Sequence, residues 1–300
     1  MQCRPVIMKK TSSGDGKRVL EMTSAAVQEG NRQWWTAHTM SYDWKSPIEK
    51  KRWEQEWFDE IDTRFIAASR YFAHDRQPFD RVIPFDAIRG KRVLEIGCGM
   101  GLHTELMLRA GAQVCSIDLS PTSVMATRRR LELKGLPCDV SEVDAESLPF
   151  VDQSFDFVWS WGVMHHSART GRIVREIARV LRPDGACRVM VYNREGIAAK
   201  IAFWRDHVFK GAFFRQSFDE TLFRTSDGFS ARFYVTEQFE DLFRTFFRTV
   251  SAQIVGQESD VIPLPRQLRW IVRPLFTDSY SRRAQARRGA FIFLAASFPE

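Results

Sequence analysis

Five short apolar runs separated by helix-length segments lie between Arg92 and Tyr192, and the first runs straight into Gly97-Cys98-Gly99-Met100-Gly101. Strands alternating with helices of this length are βαβ units, which pair as a parallel sheet with helices on both faces. A glycine-rich turn that follows a strand and opens a helix brings backbone N–H groups close to a ligand. Two common ligand loops are excluded by the spacing. A dinucleotide fingerprint needs glycine at position 102, where Leu102 stands, and no Gly-Lys-Ser/Thr follows for a Walker loop. Glu95, two residues before the first glycine, would repel a pyrophosphate and suits a ligand that carries positive charge.

Local punctuation places the elements. Leu102–Ala110 reads as a helix closed by Gly111, and Gln113–Ile117 as the second strand. Ser120 is an N-cap and Pro121 the first residue of a helix that stops at Gly135. Strands follow near Cys138–Val143 and at Phe155–Ser160, then a helix over Arg172–Leu181. Pro183-Asp184-Gly185 is a turn that feeds the fifth strand, Ala186–Tyr192. Val235–Phe246 reads as a helix, and Val250–Val255 and Phe291–Ala296 as two further strands. Ahead of the sheet, Trp53, Trp57, Ile61 and Phe65 fall at steps of four within a helical pattern from Pro47 to Tyr71.

The layout expected is a flexible leader (1–33), an N-terminal helical lid (34–89), the core (90–193), a cap insertion (194–233), and the rest of the sheet (234–300) with a second insertion at 257–288. Additions at the strand ends of an open α/β sheet commonly cover the ligand crevice. The composition, 44% hydrophobic and 27% charged, is that of a globular chain, and a net charge of +7 is a modest basic excess. The five cysteines form no CxxC pair, which removes zinc-ribbon and thioredoxin-type readings. An odd cysteine count without a secretory leader points to reduced thiols and a cytoplasmic protein. No run reaches the ~18 apolar residues of a membrane span.

In the core the sequence resembles the class I S-adenosylmethionine (SAM)-dependent methyltransferase superfamily. Glu95-Ile96-Gly97-Cys98-Gly99-Met100-Gly101 is similar to its first motif, and Leu181-Arg182-Pro183-Asp184-Gly185 to its turn before the fifth strand. The resemblance covers roughly residues 90 to 193. It implies a Rossmann-like, seven-stranded, mostly parallel sheet, with SAM as cofactor and S-adenosylhomocysteine as product. It also implies that Asp118 at the end of the second strand accepts the ribose hydroxyls, beside Leu119, and that Asp144-Ala145 meets the adenine. Glu95, Gly97, Gly99 and Gly101 would surround the donor, with Trp161 on the following loop and Tyr42 of the lid reaching its carboxylate.

The acceptor end is read from the loop Trp159–Ser167. It carries no Asn/Asp-Pro-Pro-aromatic motif, and no acid stands between Asp156 and Glu176 to bind a metal. What it carries is His165-His166, similar to a histidine pair found in small-molecule and ubiquinone-type methyltransferases. A neutral imidazole can take a hydroxyl proton as the bond to carbon forms, and His166 is preferred to His165. Tyr192, Asn193 and Tyr234 are candidates for acceptor contact.

The expected activity is therefore metal-independent methyl transfer from SAM to a small-molecule hydroxyl. Carbon or nitrogen methylation of an apolar, lipid-like acceptor stays open, as does SAM binding without turnover. Nucleic acid is disfavoured as a partner by the missing motif. The aromatic segment Phe203–Phe214 and the seven arginines of residues 260–300 leave peripheral membrane contact open.

Overall fold

The structure is a computed structural model that describes residues 23–43, 46–74, 77–264 and 266–300. Among these, seven strands form one sheet: β1 (Arg92–Ile96), β2 (Gln113–Asp118), β3 (Asp139–Glu142), β4 (Phe155–Trp161), β5 (Leu181–Tyr192), β6 (Phe247–Val255) and β7 (Phe291–Pro299). Their order is β3-β2-β1-β4-β5-β7-β6. The first five pair in parallel, and β7 runs antiparallel between β5 and β6. The helices ahead of the sheet are α1 (Ser24–Ala37), α2 (Gln55–Ala68) and α3 (Phe85–Ile88). Within the core lie α4 (Leu102–Arg109), α5 (Pro121–Lys134) and α6 (Thr170–Val180). The first insertion holds α7 (Ile197–Ala202) and α8 (Phe218–Thr225), and α9 (Thr236–Arg244) leads into β6. The second insertion holds α10 (Glu258–Val261), α11 (Arg266–Val272) and α12 (Asp278–Arg288). No described helix is long and apolar enough to cross a membrane.

Strand side chains alternate between two cores, as the period of two demands. Leu94, Val158 and Val189 face a core shared with Ile173 and Ile177 of α6 and Phe239 and Phe243 of α9. Val93, Phe157 and Trp159 face the other, packed on Phe72, Phe79, Ile83 and Met107. Helix α5 matches the sequence punctuation: Ser120 Oγ accepts from the Ser123 N–H, Pro121 opens the helix, and Gly135 ends it at φ +64°.

The differences have local causes. Helix α1 starts at Ser24, ahead of the Trp34 boundary, because Thr23 caps it and side chains on it find distant partners; the expected leader before residue 23 lies outside the described residues. Helix α2 begins at Gln55 rather than Pro47, since Trp53 sits at φ +74°, outside helical geometry. The Pro183-Asp184-Gly185 turn is a bulge inside β5, where Phe155 pairs with Leu181 but Phe157 pairs with Ala186. β6 begins three residues early, at Phe247, and β7 continues to Pro299, where the two pair with each other.

Helix α2 is tied to the core through Arg130 of α5. Its guanidinium, 1% exposed, meets Asp62 of α2 at 2.5 Å and Glu105 of α4 at 2.8 Å. Replacing Arg130 by Met would leave two carboxylates facing a buried apolar group. We expect Arg130→Met to lose about 3–5 kcal/mol in urea denaturation; a loss below about 1 kcal/mol would show that this triad does not hold the helix.

Candidate donor and acceptor site

The turn after β1 is set by backbone geometry. Gly97, Gly99 and Gly101 all have left-handed φ, +86°, +54° and +80°. A Cβ on Gly97 would fall 2.1 Å from Val163 Cγ2, whereas one on Gly99 would meet nothing within 4 Å. The first glycine is therefore required by the loop after β4, and the second leaves open space above the backbone. The Gly97 and Cys98 N–H groups donate to the Ile117 carbonyl at 2.7 and 3.1 Å, which pins the turn to the end of β2.

Asp118 completes that junction. Its carboxylate accepts from the Gly99 N–H at 3.0 Å and the Ser120 N–H at 2.9 Å. Desolvation nevertheless outweighs these bonds and pushes the carboxyl up to about 6. Leu119 follows it, half-buried. Glu95 is buried at 1%, and one of its oxygens accepts from Thr104 and, at 2.8 Å, from Ser116. Burial pushes its carboxyl up to about 7, and its other oxygen, Oε1, is buried without a hydrogen-bond partner among the described residues. A partner that donates a hydrogen bond or carries positive charge is what Glu95 Oε1 lacks.

Helix α1 lies over this edge by polar contacts. Ser120 Oγ donates to the Trp35 carbonyl at 3.1 Å and Thr122 Oγ1 to the Thr36 carbonyl at 3.0 Å. Gln28 donates to Asp144 at 2.8 Å, Asn31 donates to the His166 carbonyl at 2.5 Å, and Arg32 pairs with Glu142 at 3.5 Å. Gln28, Asn31 and Trp35 were not anticipated as site residues, and only the tryptophan pair stood out as a sequence signal. Asp144 also accepts from the Glu146 N–H at 2.9 Å, while the Ala145 methyl packs into the main core.

The histidines sit on a single turn at Met164–His166, after β4. His166 Nδ1 lies 2.6 Å from the Ser230 carbonyl, so it carries the proton and Nε2 is the basic nitrogen. Trp35 meets the His166 ring edge-on at 4.9 Å. His165 is fully buried, its two nitrogens have no partner among the described residues, and burial holds its pKa well below the usual range. Its ring lies 3.8 Å from that of Tyr192. The Tyr192 hydroxyl donates to Asp227 at 2.7 Å. Burial and the Asp227 charge push both the Tyr192 and the Tyr42 phenols far above their ordinary range. Asp227 lies in the Ser226-Asp227-Gly228 bend, where nothing in the sequence distinguishes it from an ordinary loop acid.

Other candidates stand differently. Tyr42 stacks on Phe65 at 4.9 Å, as an aromatic packing group does. Trp161 packs against Trp159, Phe72, Phe79 and Phe293, which makes it part of the aromatic core wall. Both ends of the buried Asn193 amide are committed to backbone, donating to Gly289 and accepting from Glu195, so it shapes the turn. The Tyr234 hydroxyl donates to Thr170 at 2.7 Å. His103 is buried beside Trp159, and burial pushes its pKa down to about 3. Among the described residues no group of three His, Cys, Asp or Glu side chains could hold a metal ion.

Residues 94–189 match the methyltransferase domain family. The ubiquinone biosynthesis O-methyltransferase of Methylocella silvestris is 34% identical over 126 residues, which cover 42% of this chain and 49% of that protein. The enzyme of the same name from Sinorhizobium medicae is 31% identical over 170 residues, 55% of this chain and 64% of that one. The chain thus spans about half the length of the first of these relatives. Haemonchus contortus phosphoethanolamine N-methyltransferase 2, solved with phosphomonomethylethanolamine and S-adenosylhomocysteine, shares the fold. Its TM-score is 0.52 at 17% identity, over 80% of this chain and 58% of that one. Residues 94–189 thus form a methyltransferase domain similar to those of the class I SAM-dependent enzymes, set on a seven-stranded Rossmann-like sheet.

Proposed function

We propose that this protein is a cytoplasmic enzyme that transfers a methyl group from SAM to the hydroxyl of a small molecule, without a metal and with His166 as general base. One observation carries the reading. The sheet is parallel through β5, so the carboxyls at the ends of β1 and β2 share one edge with His165, His166 and Tyr192, which follow β4 and end β5. A donor bound there would stand at the same sheet edge as a proton-accepting group. The four described cysteines are free thiols, in keeping with a reducing compartment.

The donor fits the residues present. Asp118 would accept the ribose hydroxyls, the open face of Gly99 would admit the nucleoside, and the buried Glu95 would answer the positive charge. SAM supplies a methyl on a sulfonium cation, the leaving group of an in-line displacement. The acceptor oxygen gains the methyl and loses its proton to His166 Nε2. The Ser230 carbonyl holds the ring in the tautomer this needs and steadies the imidazolium that results. Tyr192, its hydroxyl committed to Asp227, would line the acceptor's space with its ring.

Two predictions follow from these roles. Carboxyls at about 6 and about 7 must ionise to receive a cationic donor, so SAM should bind more weakly as pH falls from 8 to 5. For the ligand-free chain the sign is opposite. A carboxyl raised by folding opposes the folded state increasingly as pH climbs from its unfolded value towards 6 or 7. Calorimetric titration should show Asp118→Asn binding SAM about tenfold or more weakly at pH 8, with a flatter profile near pH 6; pH-independent binding of the unaltered chain would remove this assignment. In labelled-methyl transfer to a hydroxyl acceptor, His166→Ala should lose about 10²- to 10⁴-fold in kcat with SAM affinity retained. An unchanged kcat would leave the histidine a positioning role only.

A further inference from the structure

We infer that the first insertion docks the protein on an anionic lipid bilayer. Of the thirteen large apolar side chains exposed among the described residues, ten lie in the two insertions. Five of them, Ile201, Trp204, Phe209, Phe213 and Phe214, fall within fifteen residues, and Phe209 and Phe214 are 80% and 81% exposed. The backbone gathers them. Residues Phe203–Val208 form a π-helix, and the Phe209 N–H donates to the Trp204 carbonyl at 2.9 Å, an i to i+5 bond. That wider turn sets residues five apart on one face, where α-helical geometry would separate them. The Trp204 and Phe209 rings accordingly lie 6.2 Å apart.

Cations surround the aromatic face. Lys200, Arg205 and Lys210 line the same apolar groove as Ile201, Trp204 and Phe209. Residues 197–215 hold four Lys or Arg against one acid, Asp206. Asp206 braces two of the cations, meeting Arg205 and Lys210 each at 2.6 Å, while their side chains stay more than half exposed. Aromatic anchors ringed by Lys and Arg are the chemistry of a helix lying in the headgroup region of an anionic membrane. A second copy on a two-fold axis would set this basic patch against itself, which like charges oppose.

The register gives the surface its orientation. Tyr192, at the end of β5, and Val255, at the end of β6, both pair with Phe291 at the start of β7, so both insertions leave the sheet at the edge that carries the candidate acceptor residues. A Cβ on Gly196, just before α7, would lie 2.6 Å from the Gly289 carbonyl, just after α12, so the two insertions meet there. A docked molecule turns that edge towards the lipid.

The test is co-sedimentation of the full chain with phosphatidylcholine vesicles with and without phosphatidylglycerol, alongside light scattering and thermal melts. It involves neither SAM nor methyl transfer, so its outcome is independent of the proposed reaction. We expect binding to the phosphatidylglycerol vesicles, weakened about tenfold by Phe209→Ser/Phe214→Ser and by Lys200→Glu/Arg215→Glu. If the aromatic variant melts early, the charge variant, made at exposed cations, carries the test. Absence of binding to anionic vesicles overturns the inference, as does binding that both variants retain. Loss of self-association in the aromatic variant with vesicle binding intact would assign the face to a second copy.

Discussion

The short backbone bonds between the glycine turn and the end of β2 organise this molecule. Two N–H groups, from Gly97 and Cys98, converge on the Ile117 carbonyl, and a third, from Gly99, reaches the Asp118 carboxylate. Only left-handed φ at the three glycines aims them that way. The arrangement fixes where α4 starts and where Asp118 points, and it brings Val163, on the loop after β4, against Gly97. The loop bearing the histidines is thereby registered against the donor turn through van der Waals contact rather than a hydrogen bond. A larger side chain at position 97 would push the loop after β4 away from the glycine turn.

Around that junction helix α1 is attached mainly by polar contacts. Helix α1 buries only Val27 and Asn31. Asn31 spans two distant segments, donating to the His166 carbonyl and accepting from the Ser230 N–H, while Gln28 joins Asp144 and the Ala168 N–H. Hydrogen bonds each contribute about 0.5–1.5 kcal/mol net and exchange readily with water. Helix α2 differs: it is anchored by Trp57, Phe58 and Ile61 and by the buried Arg130. Helix α1 is thus held mainly by polar contacts, and α2 by apolar packing and a buried ion pair.

This difference also explains what was legible in the sequence. Elements built on periodic apolar burial or turn chemistry were readable, from β1 and its glycines to α5 with its Ser120, Pro121 and Gly135 signals. Asp118 was legible because its place is set by local spacing after a strand. Helix α1 was not, because its attachment rests on Gln28 and Asn31, whose partners lie more than a hundred residues away and leave no period behind. Asp227 was hidden for the same reason, its importance arising only when β5 brings Tyr192 within 2.7 Å. Trp161 and His103 show how packing overlays a motif. Each stands beside a recognisable motif, yet the second core, rich in Phe72, Phe79 and Trp159, takes up their rings.

The electrostatics of the crevice make sense only with a ligand in view. Glu95 and Asp118 are held where burial disfavours their charge, and Glu95 Oε1 has no protein partner at all among the described residues. A fold selected for stability alone would place apolar side chains there, since an unpaired buried carboxylate opposes folding. Thr104 and Ser116 satisfy one Glu95 oxygen and leave the other for something else. A sulfonium or ammonium group brought near would restore the charge on both carboxyls and remove the strain that neutral pH imposes on the ligand-free chain. Relief of this kind would favour a cationic ligand over an uncharged one of similar shape, because only the cation supplies it.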